Sequence, residues 1–256
     1  MPVLHLDRIV EAAVFAGVRI GGIMIFPPFF GSDAIPIPMK AAFTIFLTAL
    51  LYPVYGPLAL RADAMGWVRV AAGELVIGLV LGLSLQFVFE AALAAGQMVG
   101  IQTGFSLITI LDPQTQADTQ VLAIFHQFTA LLIFLQLNVH HWLLRGLAAS
   151  FAYLPPGSAF VSGSLAGGLL HAAGAIWLVA LQIAMPVIAA TMIVDIVLGF
   201  VAKASPQFPL IFAGLSIKNI LGVLALAGTL RFWPSLLERQ FTAAIMSGEH
   251  LLHLAH

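Results

Sequence analysis

Charge is what this sequence has least of. Only 10 residues are Lys or Arg and 11 are Asp or Glu, 8% of the chain, against 61% hydrophobic residues and a mean hydropathy of +1.05. A soluble globular domain carries roughly 25% charged residues. This chain therefore cannot cover a water-facing surface alone: it is an integral membrane protein, or part of an assembly that hides most of its surface. The formal net charge of −1 provides no basic face for nucleic acid and no acidic tail. Cysteine is absent, which excludes disulfides, Cys-based zinc sites and thiol catalysis. Neither HExxH, nor a Walker-type GxxxxGK[ST], nor GxSxG occurs, so the common metalloprotease, nucleotide and serine-hydrolase signatures are missing. The start, MPVLHLDRIVEAAVFAG, does not read as a cleavable signal. Asp7 and Glu11 stand where positive charge is expected, and no small-residue cleavage site follows.

What the chain does have is long apolar segments. Six stretches stand out: Ile9–Pro27, Met39–Tyr52, Val68–Gly100 with a softer run to Leu111, Val121–Tyr153, Leu165–Ala204 and Leu210–Trp233. A bilayer core of about 30 Å needs about 20 helical residues, and three of these stretches far exceed that. Between Arg145 and Asp195 no Asp, Glu, Lys or Arg occurs. Such lengths predict tilt, kinks or projection beyond the membrane. The expected fold is an all-α membrane protein of about six long, tilted hydrophobic helices.

Punctuation is clear. Four prolines with Gly31 and Asp33 make Pro27–Pro38 a loop, and YLPPGSAFVSGS, Tyr153–Ser164, divides the chain into two halves. Ser205, Pro206 and Gln207 open SPQFP, a tight reversal between the last two long helices. The tail from Glu238 is less apolar and is expected to form a short interfacial helix. Glycines recur four apart at Gly17/Gly21, Gly78/Gly82 and Gly96/Gly100/Gly104, a spacing that lets another backbone approach closely. The ten cations are spread among loops that should alternate sides, so the positive-inside rule sets no orientation.

An ionisable group inside a membrane helix is costly and points to function or pairing. Arg19, Glu74, Glu90, Arg145, Asp195, Lys203 and Lys218 are the candidates. Asp195 and Lys218 lie almost equally far from the middle of SPQFP, so a hairpin folded there brings them to similar heights. A salt bridge fixing hairpin register is the plainer reading, a proton- or ion-responsive role the sharper one. Glu74 and Glu90 stand about 24 Å apart along one helix and cannot form one acid–base pair. Asp112 and Asp118 have no His or Lys at useful spacing to tune them. His140 and His141 are adjacent and diverge on a helix; His250, His253 and His256 share a face at the terminus but lack a carboxylate or thiolate beside them. No metal site, cofactor or catalytic residue is expected, and the chain is not expected to be an enzyme.

Taken in order, the blocks FAGVRIGGIMIFPPFFGSDAIP, GELVIGLVLGLSLQFVFEAALAAGQMVGIQTGFSLITILDPQ, FLQLNVHHWLLRGLAASFAYLPPG and IVDIVLGFVAKASPQFPLIFAGLSIKNILG resemble the FliR/SctT family of type III secretion export-gate proteins. The likeness covers about Phe15 to Trp233; Phe208-Pro209, where Asn-Val is more usual, and the His140-His141 pair depart from it. It implies one copy of this chain in a heteromeric gate of helical hairpins, with FliP-like and FliQ-like subunits. It also implies contact with FlhB-like and FlhA-like components, a bacterial inner-membrane location in the flagellar basal body, and unfolded secreted flagellar proteins as cargo. Residues 1–157 would be FliP-like, with a plug loop near 104–120, residues 158–237 a FliQ-like hairpin, and residues 238–256 a C-terminal tail. Gly104, Phe105, Ser106, Leu107, Ile108, Ile110, Leu111, Asp112, Pro113 and Gln114 would form the plug. The apolar members fill and dewet a narrow pore, Pro113 turns the chain, and Gly104 supplies a hinge. Energy would come from a separate ATPase and the proton motive force. An injectisome paralogue shares the architecture, and a small-molecule secondary transporter is the alternative from another class.

Overall fold

The computed structural model describes residues 6–26, 31, 35–55, 64–105, 121–156, 163–204 and 210–253. All regular structure in these residues is helical: α1 Leu6–Ile25, α2 Ile37–Tyr55, α3 Ala64–Thr103, α4 Val121–Gln136, α5 Val139–Tyr153, α6 Gly163–Ala204, α7 Leu210–Thr229 and α8 Trp233–His253. A single 3₁₀ turn, Leu230–Phe232, joins α7 to α8. The all-α membrane fold is as expected, but among the described residues six apolar stretches become eight helices, for two local reasons. Val121–Tyr153 is broken because Asn138 takes a left-handed conformation, φ 56° and ψ 32°. Asn is one of the few residues that visits this region at modest cost, and hydropathy is blind to it. After Leu210–Trp233 the chain does not wait until Glu238 to become helical again. Helix α8 begins at Trp233, and Pro234 stands in its first turn, where a missing N–H costs nothing.

Length decides which helices can span. Among the described residues three are long and apolar enough to cross a membrane: α3, α6, and the run from Gly214 to Leu252 that joins α7 and α8. The broken pair α4–α5 makes a fourth if counted as one span. With 40 residues in α3 and 42 in α6, each runs about 60 Å at 1.5 Å per residue, about twice a bilayer core. Helix α6 continues through Pro186, as membrane helices often do where neighbours take up the freed carbonyl.

The chain forms two compact units, each discontinuous in sequence. One comprises residues 1–87, 138–173 and 241–256; the other comprises 88–137 and 174–240. These units cut across the sequence boundary at residue 157.

In the first unit, α1 buries Ala12, Phe15, Ala16, Arg19, Ile20 and Ile23. These are the i, i+3, i+4, i+7 positions of one helical stripe. Phe15 packs on Trp67 with ring centroids 4.7 Å apart, and Val70 and Ala71 close around it. The close approach of α1 to α3 is made by glycine. A Cβ on Gly22 would stand 2.9 Å from the Leu75 carbonyl oxygen, and one on Gly82 would stand 3.0 Å from that of Ile23. Gly78 lies against the backbone of Arg19. The seam therefore uses Gly22 rather than Gly21, which has nothing within 4 Å of an added Cβ.

In the second unit, Gly96 of α3 lies against the Ala123 backbone of α4, where a Cβ would come within 2.5 Å. Phe89 and Phe134 pack edge to face at 5.5 Å, a favoured arrangement for buried rings. His126 is buried against Trp233, ring centroids 4.8 Å apart.

Candidate functional site

Arg19 comes first because it has no route to water. Its position in the apolar stripe of α1 carries it into the first unit, and the glycine seam sets its depth. Glu74 is one turn before Gly78 on the same face of α3, so the close backbone contact brings the Glu74 carboxylate to Arg19. The Arg19 Nε donates to Glu74 Oε2 at 2.6 Å. Arg19 Nη1 donates to Ser150 Oγ at 3.0 Å, and Nη2 to the Leu154 carbonyl oxygen at 2.9 Å. Its guanidinium lies 4.3 Å from the centroid of the Phe151 ring, a favourable cation–π distance. Arg19, Glu74 and Ser150 are all fully buried. Ser150 passes the contact on by donating to the Leu147 carbonyl oxygen at 2.7 Å. One side chain thus ties α1 to α3 and to the C-terminal end of α5. A guanidinium suits this, because its planar fork can reach several acceptors at once.

The second unit holds a smaller polar cluster where α3, α6 and α7 converge. Lys218 Nζ lies 2.9 Å from Asp195 Oδ1, with side chains 18% and 45% exposed respectively. Gln102 Nε2 donates to the other oxygen, Asp195 Oδ2, at 3.0 Å. Beside Gln102, and one helical turn before Asp195, the Thr103 and Thr191 hydroxyls donate to carbonyls of their own helices, Val99 at 2.8 Å and Val187 at 2.9 Å. Their methyl groups are left to face Gly222, whose added Cβ would stand 2.5 Å from Thr103 Cγ2 and 3.7 Å from Thr191 Cγ2. Helix α3 ends immediately afterwards. Gly104 has φ 88° and its N–H donates to the Ile101 carbonyl oxygen at 3.2 Å, the left-handed glycine that commonly terminates a helix. Phe105 follows, 37% exposed.

Of the residues expected to matter, Asp195 and Lys218 are brought together, and Gly104 and Phe105 lie at the end of α3. Ser106, Leu107, Ile108, Ile110, Leu111, Asp112, Pro113 and Gln114 lie outside the described residues, as do Ser205, Pro206 and Gln207. Glu74 and Glu90, both on α3, belong to different units. Arg145 and Lys203 are exposed, and Lys203 occupies the last turn of α6, where a cation complements the helix dipole. The His140 and His141 rings lie 4.2 Å apart. Among the described residues no group of three or more His, Asp or Glu is placed to hold a metal ion.

One site residue, Gln102, and one pairing of candidate residues, Arg19 with Glu74, were missed from sequence. Gln102 carries no charge to draw attention in an apolar helix, and no spacing rule links it to Asp195, 93 positions away. The Arg19–Glu74 pairing spans 55 positions. Its faint signal was an arginine at i+4 from Phe15, with Glu74 four residues before Gly78.

Fold and site together define an all-α membrane protein whose internal charges are spent on joining helices. The chain belongs to the bacterial export proteins, family 1, whose family model matches residues 10–244. It is 30% identical over 241 residues to the flagellar biosynthetic protein FliR of Bacillus subtilis, covering 93% of each chain. The protein of the same name from Pectobacterium carotovorum is 30% identical over 228 residues, covering 88% of this chain and 86% of the relative. That of Escherichia coli is 26% identical over 225 residues, with the same coverage.

Proposed function

We propose that this chain is a core subunit of a flagellar type III protein export gate. It forms part of the protein-conducting path through the bacterial inner membrane at the flagellar basal body. The observation that carries this reading is likeness across almost the full length of both chains to relatives named for flagellar biosynthesis. Their flagellar names favour the flagellar system over an injectisome.

The surface supports membership of an assembly. On α6, Leu170, Trp177, Leu178, Ile193 and Phe200 are exposed, and on α7 so are Ile220 and Leu224. Apolar surface on this scale requires lipid or a partner to cover it. The partners of this reading are FliP-like and FliQ-like subunits, with FlhB-like and FlhA-like components nearby. Residues 1–157 serve as the FliP-like part and 158–237 as the FliQ-like hairpin. Unfolded flagellar proteins are the cargo. The segment from Gly104 to Gln120 closes the path: its apolar half, Phe105 to Leu111, dewets the lumen, and the half from Asp112 lets the chain return.

Purification of the tagged chain from its host in mild detergent tests the reading. The expected product is a heteromeric complex containing one copy of this chain. A homodimer that moves a small solute would overturn it. In the reconstituted complex, deletion of residues 106–112 should open a leak to small ions; an unaltered leak from an intact complex would remove the closing role.

A further inference from the structure

A hairpin-register salt bridge between α6 and α7 needs only one oxygen of Asp195. Lys218 takes Oδ1 at 2.9 Å. The second oxygen is engaged by a third helix, through Gln102 Nε2 at 3.0 Å. Gln102 stands in the last turn of α3, two residues before the glycine that ends it. Beside it, Thr103 turns its hydroxyl back to its own helix and seats its methyl group against Gly222. The two contacts differ in kind and adjoin in space. The threonine seat is steric and sets how closely α3 approaches α6 and α7. The amide–carboxylate contact is directional and sets the rotation of α3 about its own axis.

We propose that Asp195 and Gln102 form a clasp fixing the rotational setting of the final turn of α3. The clasp thereby sets the direction in which the chain leaves at Gly104 and Phe105. Gln102 is a positioning residue in this account: it touches no cargo and acts through the backbone it holds. An amide suits the role, because it donates a directional hydrogen bond without adding a second charge to compete with Lys218. The consequence for export, a closing segment held at its root, rests on the closing role proposed above.

The absence of cysteine makes a direct test possible, since this chain can be labelled at one introduced thiol before it is assembled with its partners. A nitroxide at Phe105→Cys, in the full chain within its membrane complex, should show an immobilised component. Gln102→Leu, which keeps the bulk and removes the donor, should abolish that component, and Asp195→Leu should do the same. Asp195→Asn should retain it, because the Asn oxygen can still serve Lys218 while its NH2 donates to the Gln102 carboxamide turned to present its oxygen. A label at Leu224→Cys on α7 should be unchanged by Gln102→Leu. An unaltered Phe105 label, or equal loosening at Leu224, overturns the clasp. Hydrogen exchange supplies a label-free check: amides of residues 99–105 should exchange faster in Gln102→Leu, and unchanged exchange again overturns the proposal. The ion leak separates the two ideas. If deleting residues 106–112 opens a leak while Gln102→Leu leaves the Phe105 label fixed, the clasp fails and the closing role stands. If the clasp is seen but the deletion does not leak, the closing role fails and the clasp stands.

Discussion

Arg19 is the residue whose loss should cost most. With Glu74 it forms an ion pair that is fully buried on both sides, and removing one partner leaves the other without its counter-charge in an apolar interior. Arg19→Met alone, or Glu74→Leu alone, should destabilise the folded chain by about 3–5 kcal/mol, read as a lower unfolding midpoint in detergent. The double variant should recover more than half of that loss, because two apolar side chains need no partner. A double variant as unstable as the worse single one would mean that the Ser150 and Leu154 contacts, rather than the ion pair, dominate. Asp195 and Lys218 lie at the other extreme. A pair with a carboxylate 45% exposed contributes about 1 kcal/mol or less where it faces water. Its substitution should alter the position of α3 more than overall stability. At Gly104 the backbone decides. With φ 88°, Gly104→Ala should cost about 1–2 kcal/mol and speed hydrogen exchange in the last turn of α3 while leaving α1 unaffected.

Between elements, glycines matter by what they face. Gly78 and Gly21 both occur in small-residue spacings, yet Gly78 meets the backbone of Arg19 and Gly21 meets nothing. Gly78→Ala should therefore push α1 away from α3, lengthen the Arg19–Glu74 contact and lower the unfolding midpoint. Gly21→Ala should be neutral or stabilising by up to about 1 kcal/mol, since alanine is the better helix former. Equal effects of the two would contradict the seam. The α4–α5 break makes the same point for a turn. Nothing in the apolar run Val121–Tyr153 except Asn138 announces it, and only the left-handed backbone at that residue shows that the signal was used.

For the whole molecule, the governing quantity is uncovered apolar surface. In the apolar 18-residue heart of α3, 61% of the residues are buried within the chain, against 28% and 22% in the corresponding stretches of α6 and of the α7–α8 run. That part of α3 is thus largely covered by its own chain, while α6 and α7–α8 present apolar faces to lipid or to other subunits. Nitroxides at Leu170→Cys and Phe200→Cys should be accessible to oxygen dissolved in hydrocarbon when the chain is studied alone. At positions covered by a partner, that access should fall on assembly. Accessibility to a water-soluble nickel chelate in both states would rule out burial of this surface.

The sequence alone determined the class. Its poverty of charge and its apolar runs leave an all-helical membrane protein as the economical solution, because backbone groups in lipid must be satisfied within a helix or a closed barrel. The ordered motifs carried the family likeness. The proximity of Asp195 to Lys218 was legible too, since symmetry about a turn is a local property of the chain. Tertiary structure alone decided that Arg19 reaches Glu74, Ser150 and Leu154, that Gly22 rather than Gly21 makes the seam, and that Gln102 takes the second oxygen of Asp195. The reason is common to all three. In helices apolar on nearly every side, periodicity does not say which face turns inward. Contacts between residues tens of positions apart depend on that rotation, and packing, not composition, fixes it.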